Sequence, residues 1–189
     1  MNVPDKEKNK DKNTNKEKNR RRTDSRLTSA AVQRFLIQSG ILVAALFLVF
    51  TFLISVNRAE GNTMSPFVRD GDLCIFLKTD QPSLGEVVLY RNEKGERRIG
   101  RIAATEGQAV DFPETGGYLV DGYLYPEENP YETRPAEESD VEYPFRLSSK
   151  EVFILNDFRS ITEDSRSFGP VGNAAVEGTL FFLLRRRGF

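Results

Sequence analysis

Between Phe35 and Val56 the chain runs for 22 residues without a charge, interrupted only by Gln38, Ser39, Gly40, Thr51 and Ser55. At 1.5 Å per residue such a helix is roughly 33 Å long, enough to cross the hydrocarbon core of a bilayer. A globular helix would show a polar face, and Ile41–Phe50 has none. A cleaved leader needs small residues at the −3 and −1 positions, and Val56-Asn57-Arg58-Ala59 offers no such pair. The pattern predicts a retained transmembrane helix over 35–56, with Arg58 marking its outer end. Residues 1–34 are Lys, Asn, Asp and Glu with almost nothing apolar before Leu27, a composition that predicts a disordered tail.

Beyond Val56 the period changes. Leu73–Leu77, Gly85–Tyr90, Arg98–Ala104, Glu151–Leu155 and Thr179–Arg185 are short apolar or alternating runs bounded by Gly, Pro and Asp, which predicts strands. Tyr118-Leu119-Val120, Asp121-Gly122, Tyr123-Leu124-Tyr125 predicts a hairpin on a two-residue turn. No stretch after Val56 keeps a helical period over three turns. The expected fold is mainly β, an antiparallel core over 57–189. From Asp111 to Glu142 ten acids face one base, Arg134, with Pro113, Pro126, Pro130 and Pro135. This predicts an exposed, partly irregular acidic insertion within 111–150, solubilising rather than catalytic.

Charge changes the picture. The total, 27 Lys/Arg against 28 Asp/Glu, hides a split: 11 against 5 in residues 1–34, and 16 against 23 in residues 57–189. Basic residues beside an apolar span stay on the cytoplasmic side, so the tail is expected inside and residues 57–189 outside. Five interspersed acids favour a solvated topogenic tail over a nucleic-acid-binding arm, and no nucleic-acid partner is expected. The absence of histidine excludes a Ser-His-Asp triad, a Cys-His pair and a zinc site of the usual ligands. No metal or cofactor is expected. The one cysteine, Cys74, lies in the apolar run Leu73–Leu77 and reads as a buried structural thiol. Arg185-Arg186-Arg187 reads either as a solvated end or as a contact for anionic headgroups.

Candidate chemistry lies in three blocks. Gly61-Asn62-Thr63-Met64-Ser65-Pro66 follows the apolar run, and Asp70-Gly71-Asp72 opens a strand. Arg101-Ile102-Ala103-Ala104 precedes Gly107. Asn156-Asp157-Phe158-Arg159 precedes Asp164-Ser165-Arg166-Ser167-Phe168-Gly169. One membrane helix followed by these blocks in this order resembles the type I signal peptidases, membrane-anchored Ser/Lys proteases of bacteria. The resemblance covers about residues 35–185, and the last block is its most specific part. Read physically, Asp157, Arg159, Asp164, Ser165, Arg166, Phe168 and Gly169 form a structural motif, with Arg159, Asp164 and Arg166 expected in one charge-assisted network and Gly169 at a sharp turn.

The resemblance places the nucleophile at Thr63, the general base at Gly100 and the helper hydroxyl at Thr162, with Gly61, Asn62 and Met64 against the peptide. The family has serine at the first position and lysine at the second. A lysine base needs an apolar pocket to bring a pKa of about 10.4 down by several units, and Gly100 has no side chain to titrate. Arg98, on the same face of the strand, does not deprotonate. Internal threonine is a crowded nucleophile without the N-terminal amine that usually activates it. Lys78, Lys94 and Lys150 remain as substitute bases. Ala104, Glu106 and Gln108 also depart from the family's Gly, Pro and Asp.

The resemblance then runs closest to non-catalytic signal-peptidase-like pilus assembly factors of Gram-positive bacteria. It implies a membrane protein that binds a pilin or secreted-preprotein signal region, with a sortase as a further partner. A divergent active signal peptidase using Thr63 is the alternative, and a scaffold whose acidic insertion binds a basic partner is a third. Protease treatment of intact protoplasts is expected to remove the β domain while sparing the Lys-rich tail. Cutting of the tail with the β domain protected would reverse the orientation.

Overall fold

The computed structural model describes residues 32–78, 82–137, 139 and 141–185. The basic tail up to residue 31, and Arg186 and Arg187, lie outside the described residues. Helix α1, Val32–Phe52, is long and apolar enough to cross a membrane. None of its side chains is buried.

The expected helix over 35–56 is shorter at its C-terminal end. From Ile54 the chain is strand β1 (Ile54–Arg58), which pairs antiparallel with β2 (Leu73–Leu77), Ile54 opposite Leu77 and Arg58 opposite Leu73. Ser55 and Asn57 alternate with Ile54 and Val56, a period that suits a strand; the uncharged run alone could not reveal this, because apolarity is common to both elements. Arg58 therefore ends a strand rather than a helix.

The other strands are β3 (Val87–Arg91), β4 (Arg97–Ala104), β5 (Ala109–Asp111), β6 (Leu119–Val120), β7 (Tyr123–Leu124), β8 (Phe145–Arg146), β9 (Glu151–Leu155), β10 (Val171–Gly172) and β11 (Val176–Leu184). A four-residue helix, α2 (Ser165–Phe168), precedes β10. β1-β2-β11-β3-β4-β9-β10 form a seven-stranded sheet and β7-β6-β5-β8 a four-stranded one, every pair antiparallel. The mainly β expectation holds. The predicted hairpin is β6–β7, Val120 opposite Tyr123, with Asp121 and Gly122 at φ 51° and 84°, the left-handed pair that a two-residue turn requires.

The large sheet is buried on both faces where it matters. Val87 and Leu89 pack with Ala59, Met64, Val68, Cys74, Phe76 and Ile99. Val88 and Tyr90 point the other way, into Ile102, Val152, Ile154, Val171 and Val176. This two-sided burial is why β3 reads as a continuous apolar run instead of an alternating one. A third cluster, centred on Tyr118, Phe153 and Leu155, joins the small sheet to β4 and β9. Cys74 is fully buried, and burial, then the neighbouring Asp72 charge, pushes its thiol up to about 11, as a structural thiol should behave.

β11 breaks register between Val176 and Gly178 against β3. A Cβ on Gly178 would stand 2.4 Å from the Leu77 carbonyl oxygen, so only glycine lets the strands approach here. Gly178→Ala is expected to destabilise the β domain by about 1–3 kcal/mol, read as a fall of several degrees in its thermal midpoint.

Candidate functional site

Thr63 sits in the loop joining β1 to β2. The loop is closed at its base by Ala59 N–H donating to the Asp72 carbonyl and Gly71 N–H to the Ala59 carbonyl, both at 2.8 Å. Gly61, at φ +73°, donates its N–H to Asp70 Oδ1 at 2.9 Å. The Asn62 carbonyl accepts from Ser65 N–H at 3.0 Å, turning the chain at Thr63. Met64 is 2% exposed and packs beneath the loop, with its sulfur 3.5 Å from the Asp157 nitrogen. Phe158 N–H donates to the Thr63 carbonyl at 2.9 Å, so the loop is pinned to the segment that follows β9.

That segment is organised by the last sequence block. Asp164 caps α2 through Arg166 N–H at 3.0 Å and accepts Asn156 N–H at 2.9 Å. It also binds the Arg166 side chain in bidentate fashion, at 2.9 and 2.7 Å. The remaining Arg166 N–H groups go to the carbonyls of Arg134, Arg159 and Ile161. Ser165 Oγ accepts Ile154 N–H at 2.9 Å. Arg101, part-buried, makes a second bidentate pair with Asp157, at 2.8 and 2.6 Å, and lies 5.0 Å over the Phe67 ring.

Arg159 departs from expectation. Its side chain does not join Asp164 but pairs with Glu127 at 2.5 Å and donates to Thr133 Oγ1 at 2.9 Å and to the Asn156 carbonyl. Glu127 and Thr133 belong to the acidic segment, as does Asn129, whose amide donates to the Asp157 carbonyl at 2.8 Å. Ser139 Oγ donates to the Arg166 carbonyl at 2.6 Å. Part of the expected solvated insertion is thus a strap over the motif, which its acidity alone did not disclose. Asp157 is taken by Arg101 and Asp164 by Arg166, so Arg159 draws its carboxylate from the acidic segment.

Thr63 lines a cavity of 420 Å³ with Gly61, Met64, Arg58, Glu60, Glu96, Arg97 and Arg98 among its walls. Gly100, Thr162 and Asn62 are not among the lining residues. Neither the Thr63 N–H nor its hydroxyl is bonded to a described residue. Gly100, in β4 opposite Val88, is enclosed: a Cβ there would stand 2.3 Å from Ile154 Cγ2 and 3.2 Å from Tyr90 Cε1. The Thr162 carbonyl accepts from Asp164 N–H at 2.7 Å and from Ser167 Oγ at 2.5 Å.

Among the described residues no lysine lines the Thr63 cavity. Lys78 Nζ donates to the Thr51 carbonyl at 2.6 Å, Lys94 lies by Tyr90 and Phe168, and Lys150 sits beside Glu106. Glu96 is held below the usual carboxylate range by the Asn92 amide and the Arg98 guanidinium, which makes it a weak base. Arg98 and Arg58 in this cavity were not anticipated, because lining depends on loop closure.

An antiparallel β domain follows one apolar helix long enough to cross a membrane, and its threonine loop is held by Phe158 N–H beside the Asp-Ser-Arg block. The family model described as signal peptidase, peptidase S26, matches residues 32–184, and the chain belongs to that family. Signal peptidase IB of Staphylococcus aureus strain Mu50 is 22% identical over 165 residues, covering 78% of this chain and 86% of that protein. The strain COL protein is 21% identical over 168 residues, covering 80% and 88%. The crystal structure of a signal peptidase I from Enterococcus faecalis V583 matches 53% of this chain and 97% of its own, at 21% identity and a TM-score of 0.44.

Asp164→Ala would strand a buried guanidinium and a helix N-terminus together. The expected loss is about 3–5 kcal/mol of domain stability in denaturant unfolding, against less than half of that for removing the exposed pair partner Glu132 by Glu132→Ala.

Proposed function

We propose that this member of the family binds extended signal-region peptides without cutting them, as a membrane-anchored assembly factor with its β domain outside the cell. The observation that carries the reading is at Gly100. The resemblance gives this position to the base, and Ile154 and Tyr90 occupy the room a base side chain would need. A general base contributes about 10²–10⁴-fold to such a reaction, and without one a threonine hydroxyl in water is a poor nucleophile. Binding survives this loss, because extended peptides are held by strand edges and side-chain pockets rather than by the reacting groups. Gly61 and Thr63 at the cavity rim, with Met64 as its floor, support that use. The occupant we propose is the signal region of a pilin or other secreted preprotein, passed on to a sortase during pilus assembly.

The test is cleavage of a labelled signal-peptide substrate by the full chain in detergent micelles. No product above the protein-free background is expected. Robust cleavage abolished by Thr63→Ala would overturn the reading in favour of an active peptidase with another base. Gly100→Lys alone is expected to destabilise the domain through the Ile154 contact, so Thr63→Ser with Gly100→Lys is not expected to restore turnover.

A further inference from the structure

The walls beside Thr63 are charged, whereas a pocket for a small apolar side chain would be neutral. Arg97 is committed to Glu177 at 3.0 Å, and Arg98 to Glu96 at 2.9 Å. Glu96 in turn accepts from the Asn92 amide at 3.0 Å, so its charge is spent inside this cluster. Among the described residues the Arg58 guanidinium has no ion-pair or hydrogen-bond partner, and neither has the Thr63 N–H or hydroxyl. Three unspent donor groups therefore border one cavity. Glu60, also lining it and also without a described partner, is the one unspent acceptor charge.

Donors of this kind are satisfied poorly by an amide end and well by an anion, since charge-assisted hydrogen bonds are shorter and stronger than neutral ones. Capture of a peptide carboxylate by backbone N–H groups and a guanidinium is a recurring mode of recognition. Resting on the peptide-binding reading above, we infer that the Thr63 cavity receives a carboxylate of the bound peptide, with Arg58 and the Thr63 N–H and hydroxyl as its donors. The carboxylate belongs either to an Asp or Glu side chain of the signal region or to the C-terminus of a peptide that another peptidase has already released. The opposing Glu60 tempers the affinity and sets its direction of change: removing Arg58 weakens the anion, and removing Glu60 strengthens it.

The probes are three fluorescein-labelled decapeptides ending in Ala-x-Ala. One has a free C-terminal carboxylate, one a C-terminal amide, and one an amide with Asp in the last position. Binding to the full chain in micelles is read by fluorescence anisotropy. The free acid is expected to bind about tenfold tighter than the plain amide, an advantage that shrinks as salt is raised. Arg58→Gln is expected to erase that advantage while leaving the amide unchanged, and Glu60→Gln to enlarge it. If the Asp amide binds tighter than the free acid, the carboxylate comes from a side chain; if it matches the plain amide, from the C-terminus; if it equals the free acid, the site takes either. Equal binding of all three peptides, or a carboxylate advantage that persists in Arg58→Gln, overturns the carboxylate site and leaves the peptide-binding reading standing. Absence of binding by all three peptides overturns both.

Discussion

Arg166 is 1% exposed and still carries a full charge into the core, where every one of its five N–H donors finds an oxygen. A buried guanidinium is tolerable only when its partners are complete, because desolvation costs several kcal/mol per ion. Completion here draws in distant pieces of chain. The carbonyls of Arg134, Arg159 and Ile161 converge on it, and Asp164 simultaneously caps α2 and receives Asn156 N–H. Once residues 156–159 are held this way, Phe158 N–H reaches the Thr63 carbonyl and Asp157 locks onto Arg101. The position of the threonine loop thus depends on an ion pair elsewhere in the domain.

The same sheet that supports this loop leaves no room for a side chain at position 100. Gly100 lies between Arg98 and Ile102 on the face of β4 that packs against Tyr90 and Ile154. Burying the isoleucine there contributes roughly 1.5–3 kcal/mol of apolar stabilisation. A side chain at 100 would have to displace it. A side chain at 100 and the core compete for one space, and core packing occupies it. Among the arginines lining the Thr63 cavity, Arg97 and Arg98 are held by Glu177 and Glu96, which leaves the Arg58 guanidinium to attract an anion.

The acidic segment shows how composition and position can part company. Its charge suits solvent, and Tyr123 and Leu124 on its hairpin are indeed exposed. Yet Glu127 is drawn down onto Arg159, and Thr133, 1% exposed, bridges the two. An arginine buried beside a strand must take a carboxylate from wherever the chain can deliver one.

By itself the sequence determined the features that rest on local periodicity or contiguous motif. These are an apolar helix of membrane length, five strands near their observed limits, the Asp121-Gly122 turn, and the ordered blocks shared with the signal peptidases. It also determined that Gly100 supplies no base, since a missing side chain needs no context. Only the tertiary structure decided where the apolar run turns from helix to β1, that Glu127 rather than Asp164 pairs with Arg159, and that Arg58 and Arg98 share the Thr63 cavity. Each depends on residues far apart in the chain coming together: Ile54 pairs with Leu77, Glu127 with Arg159, and Arg58 and Arg98 line one cavity. Apolarity and charge state what a residue must find, and strand register and loop closure decide which partner is within reach.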